Sequence, residues 1–153
     1  MNIKISKGES RHLEDCVLAL IHSELGNVYF SDEEKAVQAI KEGISKEEIY
    51  VAENDKSICL GFIWIMPKGA FHSFPYLHII AVKEQYRGMG IGKQLLHYFE
   101  EAAGENSKLF LVVADFNPKA KELYKSAGYV EIGLIPDLYK KGVNECLMMK
   151  VLN

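Results

Sequence analysis

The chain is poor in the residues that staple or anchor a protein. It has three cysteines, Cys16, Cys59 and Cys146, an odd number, widely spaced and each set in an apolar run. That excludes a disulfide frame and reads as reduced core thiols of an intracellular, cytoplasmic protein. No apolar stretch approaches the roughly 18–20 residues that a membrane span needs. The opening MNIKISKGES lacks the apolar run of a secretion signal, so a soluble chain with no membrane partner is expected. Neither sign of charge dominates: 18 Lys and Arg face 21 Asp and Glu, for a net −3. A broad nucleic-acid-binding face is therefore not expected. Linkers, repeats and low-complexity tracts are missing as well. What remains is 153 residues, 48% hydrophobic, enough for one domain over 1–153 with its own core.

Periodicity divides that chain into alternating elements. Ile3 and Ile5 alternate with polar neighbours as a short strand. Ser10 can cap a helix from Arg11 to about Leu25, whose apolar stripe is Leu13, Val17, Leu20, Ile21 and Leu25. Ser31 and Glu34 form a capping box for a second helix, which Gly43 would stop. Ile49–Glu53 and Ser57–Met66 are rich in β-formers and flank Asn54-Asp55, a hairpin signal. Pro67 to Ala70 read as a loop. Phe74–Val82 reads as a strand, followed by a glycine-rich turn and a helix to about Ala103. Leu109–Ala114 is a continuous apolar run, typical of a strand covered on both faces. Pro118 suits the first turn of a helix ending near Ala127-Gly128. Tyr129–Ile135 and Asn144–Val151 are strands joined by Pro136–Gly142. The order is that of a mixed α/β domain.

The glycine-rich turn carries the strongest chemical signal. In Gln85-Tyr86-Arg87-Gly88-Met89-Gly90-Ile91-Gly92-Lys93 a strand hands over to a helix. Glycines let the backbone turn tightly and aim several N–H groups one way. The helix N-terminus adds about half a positive charge. Together these hold a pyrophosphate, with Arg87 and Lys93 adding charge nearby. Gly92-Lys93 is followed by Gln94, so this is not a P-loop. The dinucleotide fingerprint also fits poorly, since its glycines follow the first strand of the fold. A tight turn with no ligand is the competing reading.

Arg87-x-x-Gly90-x-Gly92 resembles the Arg/Gln-x-x-Gly-x-Gly/Ala signature of the GNAT superfamily of N-acetyltransferases. About 25 residues on, Asn117-x-x-Ala120-x-x-Leu123-Tyr124-x-x-x-Gly128-Tyr129 resembles that family's second CoA-contacting segment. The resemblance is best from Phe74 to Tyr129 and weakest before Ile49. It implies a GNAT-like fold: a mostly antiparallel seven-stranded sheet with two splayed central strands, flanked by four or so helices. It also implies acetyl-CoA as cosubstrate. By analogy with relatives, backbone groups of Ile80 and Val82 would pair with the pantetheine arm. The amides of Arg87, Gly88, Met89, Gly90, Ile91, Gly92 and Lys93 would take the pyrophosphate. Asn117, with Ala120, would contact the arm, and Tyr124 would lie by the sulfur. Relatives are often homodimers, although no residue pattern here requires one.

Acetyl transfer to an amine needs a neutral nucleophile, a stabilised oxyanion and a protonated leaving thiolate. A phenol near pKa 10 is still protonated at pH 7 and can donate to that thiolate; hence Tyr124 is the expected acid. The bland alternative is that Tyr124 is a packing aromatic. His78 shares a strand face with Tyr76, Ile80 and Val82 and matches a histidine of some arylalkylamine acetyltransferases. It is the candidate base, acting through water, against the alternative of a hydrogen-bonded core histidine. The glutamate base of protein-acetylating relatives would align near Tyr76, where the sequence has no carboxylate. Lys119, Lys121 and Lys125 could meet a CoA phosphate or form a solvated helix face. Asp137, Tyr139, Lys140 and Lys141, with Tyr29, Phe30 and Trp64, could shape an amine pocket. His72, His78 and Cys59 match no standard metal spacing, so no metal is expected. No cysteine sits in either motif, which favours direct attack in a ternary complex over an acyl-enzyme. The acceptor is expected to be a small-molecule amine; a peptide or protein N-terminus and a non-catalytic acyl-CoA-binding module are the alternatives.

Overall fold

A computed structural model of the chain describes residues 2–152. Met1 and Asn153, the ends of the expected 1–153 span, lie outside the described residues. The elements run β1 (Lys4–Lys7), α1 (Leu13–Ile21), α2 (Glu24–Tyr29), α3 (Glu33–Ser45), β2 (Ile49–Glu53), β3 (Cys59–Ala70) and β4 (Phe74–Val82). They continue with α4 (Ile91–Ala102), β5 (Lys108–Ala114), α5 (Pro118–Ser126), β6 (Val130–Pro136) and β7 (Asn144–Val151). The seven strands hydrogen-bond in the order β1-β2-β3-β4-β5-β7-β6. The β4–β5 pair is parallel; β1–β2, β2–β3, β5–β7 and β6–β7 are antiparallel. This is the seven-stranded, mostly antiparallel mixed α/β fold expected. Among the described residues no helix is long and apolar enough to cross a membrane.

The chain forms two compact units, Met1–Ile65 with Ile79–Ala102, and Met66–His78 with Ala103–Asn153. In the first, α4 buries Ile91, Leu95, Leu96 and Phe99, a stripe at helical spacing that faces one way. Cys16, Leu20, Ile40, Val51 and Phe62 are likewise fully buried. The first expected helix is in fact two. Ser23 starts α2, its hydroxyl accepting from Gly26 N at 2.9 Å while donating to Leu20 O at 2.6 Å. A serine that reads as a polar position in mid-helix thus caps a new one. Upstream, Glu9 and His12 form the capping box, not Ser10. Asp32 caps α3, its carboxylate accepting from Glu34 N at 3.0 Å. Gly43 does not stop that helix. It lies inside α3, and an added Cβ would sit 2.5 Å from Ile49 Cδ1, so the glycine is a packing requirement.

This unit also holds a buried carboxylate. Glu53, 7% exposed, accepts from Arg11 Nη1 at 3.3 Å and lies 3.4 Å from His12 Nε2. Removing a hydrogen-bonded buried carboxylate leaves its partners unsatisfied. Glu53→Ala is expected to lower unfolding free energy by about 2–3 kcal/mol, measured as a lower denaturant midpoint at constant slope. An unchanged midpoint would show that the carboxylate contributes no net stability.

In the second unit, β7 pairs with β5 along Lys108↔Val151 to Ala114↔Glu145, and with β6 on its other side. Pro67 to Ala70, expected as a loop, belong to β3. The reversal falls later, at Phe71 and His72, where Ser73 N closes the turn on Ala70 O at 3.1 Å. Gly69 permits this because a Cβ there would lie 2.7 Å from Met66 Cβ and 2.9 Å from Tyr76 Cβ. Tight hairpin packing has overridden the turn-forming look of Pro-Lys-Gly.

Candidate active site

In the first unit, β4 ends at Val82 and a 3-10 turn over Glu84–Tyr86 leads to Arg87, which is extended. Gly88 and Gly90 have φ of +79° and +80°, a region where a Cβ costs about 1–2 kcal/mol. The backbone therefore turns twice within three residues before α4 begins. The first α4 bond runs from Gln94 N to Gly90 O at 3.1 Å. Arg87 and Gly88 lie in a hydrogen-bonded turn, and among the described residues no carbonyl or side chain accepts from the amides of Gly90, Ile91, Gly92 or Lys93. Cβ atoms built on Gly88 and Gly90 would meet nothing within 4 Å. This is a row of N–H donors at a helix N-terminus, open on the side a ligand would approach.

Arg87 has a different place from its neighbours. Its own amide already donates to Glu84 O at 3.3 Å. Its guanidinium braces the turn, Nε donating to Val82 O at 3.1 Å and Nη2 to His22 O at 2.7 Å. Ile80 and Val82 lie on the half-buried face of β4, while Ile79 and Ala81 point into the core. The period-two reading of that strand therefore holds. Trp64 is 3% exposed and its indole donates to Glu48 Oε1 at 3.1 Å. Tyr29 and Phe30, at the end of α2, are half-buried.

In the second unit, Asn117 caps α5. Its Oδ1 accepts from Ala120 N at 3.4 Å, and Pro118 takes the first helical position. Ala120 thus uses its amide within the cap. Tyr124 sits on the buried side of α5, 5% exposed. Gly128 adopts φ +98° and turns the chain so that Tyr129 N bonds to Tyr124 O at 3.0 Å. The two rings meet edge to face, 6.1 Å between centroids at 65°. The Gly-Tyr that follows the helix is thus a buttress for Tyr124. Burial pushes the Tyr124 phenol well above the ordinary tyrosine range, because the phenolate would lose its hydration.

β4 and β5 share only two ladder positions, Tyr76↔Phe110 and Leu77↔Leu111, although they are nine and seven residues long. His78, half-buried, lies two residues beyond Tyr76, with ring centroids 6.4 Å apart. The Tyr76 phenol is also pushed well above its usual range. Burial is the first cause, followed by the charge and hydrogen bond of Tyr139, then Glu145 and Tyr124. Glu145 is a buried carboxylate on β7, 3% exposed. In the sequence it stands beside the apolar run Cys146-Leu147-Met148-Met149.

Other candidates have structural duties. Asp137 organises the β6–β7 turn, its Oδ1 accepting from Gly142 N at 2.6 Å. Lys121 and Lys125 are ion-paired with Glu131, Lys125 at 3.6 Å, which leaves Lys119 as the exposed lysine of the three without such a pair. Among the described residues no group of three His, Cys, Asp or Glu is placed to hold a metal.

The description Acetyltransferase (GNAT) domain matches residues 45–131, more than half of the chain. The chain belongs to the GNAT acetyltransferase family. It is 31% identical over 101 residues to the N-alpha-acetyltransferase RimI of Mycobacterium tuberculosis, covering 65% of this chain and 63% of that protein. It is 44% identical over 55 residues to the thialysine N-epsilon-acetyltransferase of Bos taurus, covering 35% of this chain and 32% of that one. The chain therefore spans less than two thirds of either relative. A GNAT-family acetyltransferase structure from Bacillus cereus superposes with a TM-score of 0.80 at 18% identity, over 100% of this chain and 99% of that one. That likeness is one of fold.

Proposed function

We propose that this protein is an N-acetyltransferase that moves the acetyl group of acetyl-CoA to a primary amine by direct attack in a ternary complex. The observation that supports this reading is the row of amides from Gly90 to Lys93 at the start of α4, for which the described residues offer no acceptor, in the segment that resembles the family's phosphate-binding signature. Such a row fits a diphosphate, and the open space over Gly88 and Gly90 lets it approach. Ile80, Val82, Asn117 and Ala120 are assigned to the pantetheine arm by the resemblance to the family's motifs. Arg87 serves by holding the turn, and Tyr124 is the proton donor to the thiolate. His78, on the half-buried face of β4, is the base expected from sequence. Thiol release measured against an amine panel tests the proposal; CoA binding without turnover on any amine would make the protein a binding module instead.

A small-molecule amine is the acceptor we favour. A peptide α-amine is the second reading, and its support is the RimI relative, which aligns with more of the chain than the thialysine enzyme does. Catalytic efficiency on free amines against short peptides separates the two.

The cradle gives its own prediction. Gly90→Ala forces a Cβ onto a φ of +80° and adds a methyl to the open side. The KM for acetyl-CoA is expected to rise about tenfold, equivalent to about 1.4 kcal/mol, with kcat little changed. An unaltered KM would mean that the diphosphate lies elsewhere.

A further inference from the structure

Lys83 is the last residue before the turn that leads to the amide row, and its ammonium is almost hidden. The side chain is 11% exposed and is ion-paired with Asp15 of α1. Its backbone N–H donates to Leu60 O of β3 at 2.8 Å, and its carbonyl accepts from Tyr86 N at 2.9 Å, closing the 3-10 turn. Four residues on, Arg87 Nη2 donates to His22 O, the carbonyl that caps α1. Asp15 and His22 are separated by about two helical turns, so they lie on one side of α1. That helix is therefore fastened near both of its ends to the two flanks of Glu84–Tyr86. A carboxylate in the first turn and a guanidinium at the last carbonyl also suit the direction of the α1 dipole. All of these residues belong to the first compact unit.

We propose that Asp15 is a positioning residue for the diphosphate of acetyl-CoA: by pairing with Lys83 it fixes where the glycine turn, and with it the row of amides from Gly90 to Lys93, stands. This rests on the acetyl-transfer reading and adds to it a residue of α1, outside both motifs. The physical reason is the asymmetry of a nearly buried pair. Removing one partner strands the other charge, and a stranded ammonium must reach water or give up its proton. Asp15, 36% exposed, can be hydrated where it stands. Lys83 has to turn its side chain outward, while its backbone is held by Leu60 and Tyr86. That movement enters the turn directly. Little resists it further on, because Gly88 and Gly90 stand at positive φ with nothing within 4 Å of where a Cβ would be. Arg87 alone would then brace the turn, from its downstream side. Helix N–H groups grip a phosphate only when several converge on it, so a tilt of the row weakens the hold on the cofactor.

The test is binding of CoA to the whole protein, followed by calorimetry below the Tm of every variant. Steady-state kinetics with an amine that the wild type acetylates accompany it. Asp15→Asn is expected to raise the Kd for CoA and the KM for acetyl-CoA about tenfold and to leave kcat within about twofold. Asp15→Glu should restore most of the affinity. Lys83→Met removes the tether without stranding a buried charge and is expected to raise the Kd about threefold. A pair that served only the fold would lower Tm and leave the Kd in place, and that result overturns the proposal. Tighter CoA binding by Asp15→Asn overturns it too, since a freed Lys83 would then be a phosphate ligand and Asp15 its restraint. Should Asp15→Asn fail to fold, Lys83→Met decides, and an unchanged Kd in that variant rejects the assignment. Absence of CoA binding by the wild type removes the phosphate cradle itself, and the role of Asp15 with it. Wild-type binding with unaffected variants rejects Asp15 alone and leaves the acetyl-transfer reading standing.

Discussion

Tyr124→Phe is expected to lower turnover by roughly 10²–10⁴-fold with little change in the KM for acetyl-CoA. The substitution keeps the ring, so the edge-to-face contact with Tyr129 and the packing of α5 are retained. Only the hydroxyl is lost, and with it the proton for the departing thiolate. The ring is buried, and burial makes the phenolate costly. A raised pKa keeps the donor form present over a wider pH range, not a narrower one. Wild-type kcat should accordingly show no alkaline fall from this group below about pH 10, the ordinary tyrosine value. The check is steady-state kinetics of both proteins from pH 6 to about pH 10, together with CoA affinity by calorimetry. Near-normal turnover of the variant would remove Tyr124 from the chemistry.

The largest stability effect is expected at Gly26. An alanine Cβ there would lie 1.8 Å from Leu20 O and 2.7 Å from Leu20 C. Both are backbone atoms, so no side chain can move aside. The corner is also fastened by Ser23, which bonds both Leu20 O and Gly26 N. Gly26→Ala must therefore push α2 away from the end of α1. The cost is expected at about 3 kcal/mol or more, at the upper end of overpacking effects. For a chain of this size that lowers Tm by on the order of 10 °C, followed by circular dichroism. A Tm within about 2 °C of wild type would show that the corner relaxes freely.

Much of this architecture was legible in the chain. Phe74–Val82 and Asn144–Val151 were read to the residue, because each is a run of β-formers bounded by turn residues. α4 and α5 were located by their starts, a glycine-rich turn before one and Pro118 in the first turn of the other. The errors share a cause. Ser23 looked like a polar position within one helix, Gly43 like a stop and Pro67 to Ala70 like a loop. Each was judged by propensity, yet decided by contacts: Ile49 presses on Gly43, Tyr76 on Gly69, and Ser23 bonds Leu20 O and Gly26 N. Close packing leaves no room for a side chain there, and packing outweighs propensity.

The same division runs through the candidate site. The amide row from Gly90 to Lys93 is a property of consecutive residues, since glycine's freedom at φ near +80° and the start of a helix are both local. Its motif could therefore be read directly. The pairing of Asn117 with Ala120 and the return of Tyr129 onto Tyr124 are also local, set within one short helix and its cap. The group around Tyr76 is different. Strand pairing places Glu145 opposite Ala114, and the β6–β7 turn brings the Tyr139 hydroxyl to Tyr76. These residues come from strands and a turn far apart in the chain, so no spacing in the sequence encodes their approach. The sequence by itself determined the glycine turn before α4 and the capped helix that carries Tyr124. Only the tertiary structure decided that Glu145 would be buried, because strand pairing sets what the fold packs around a charge.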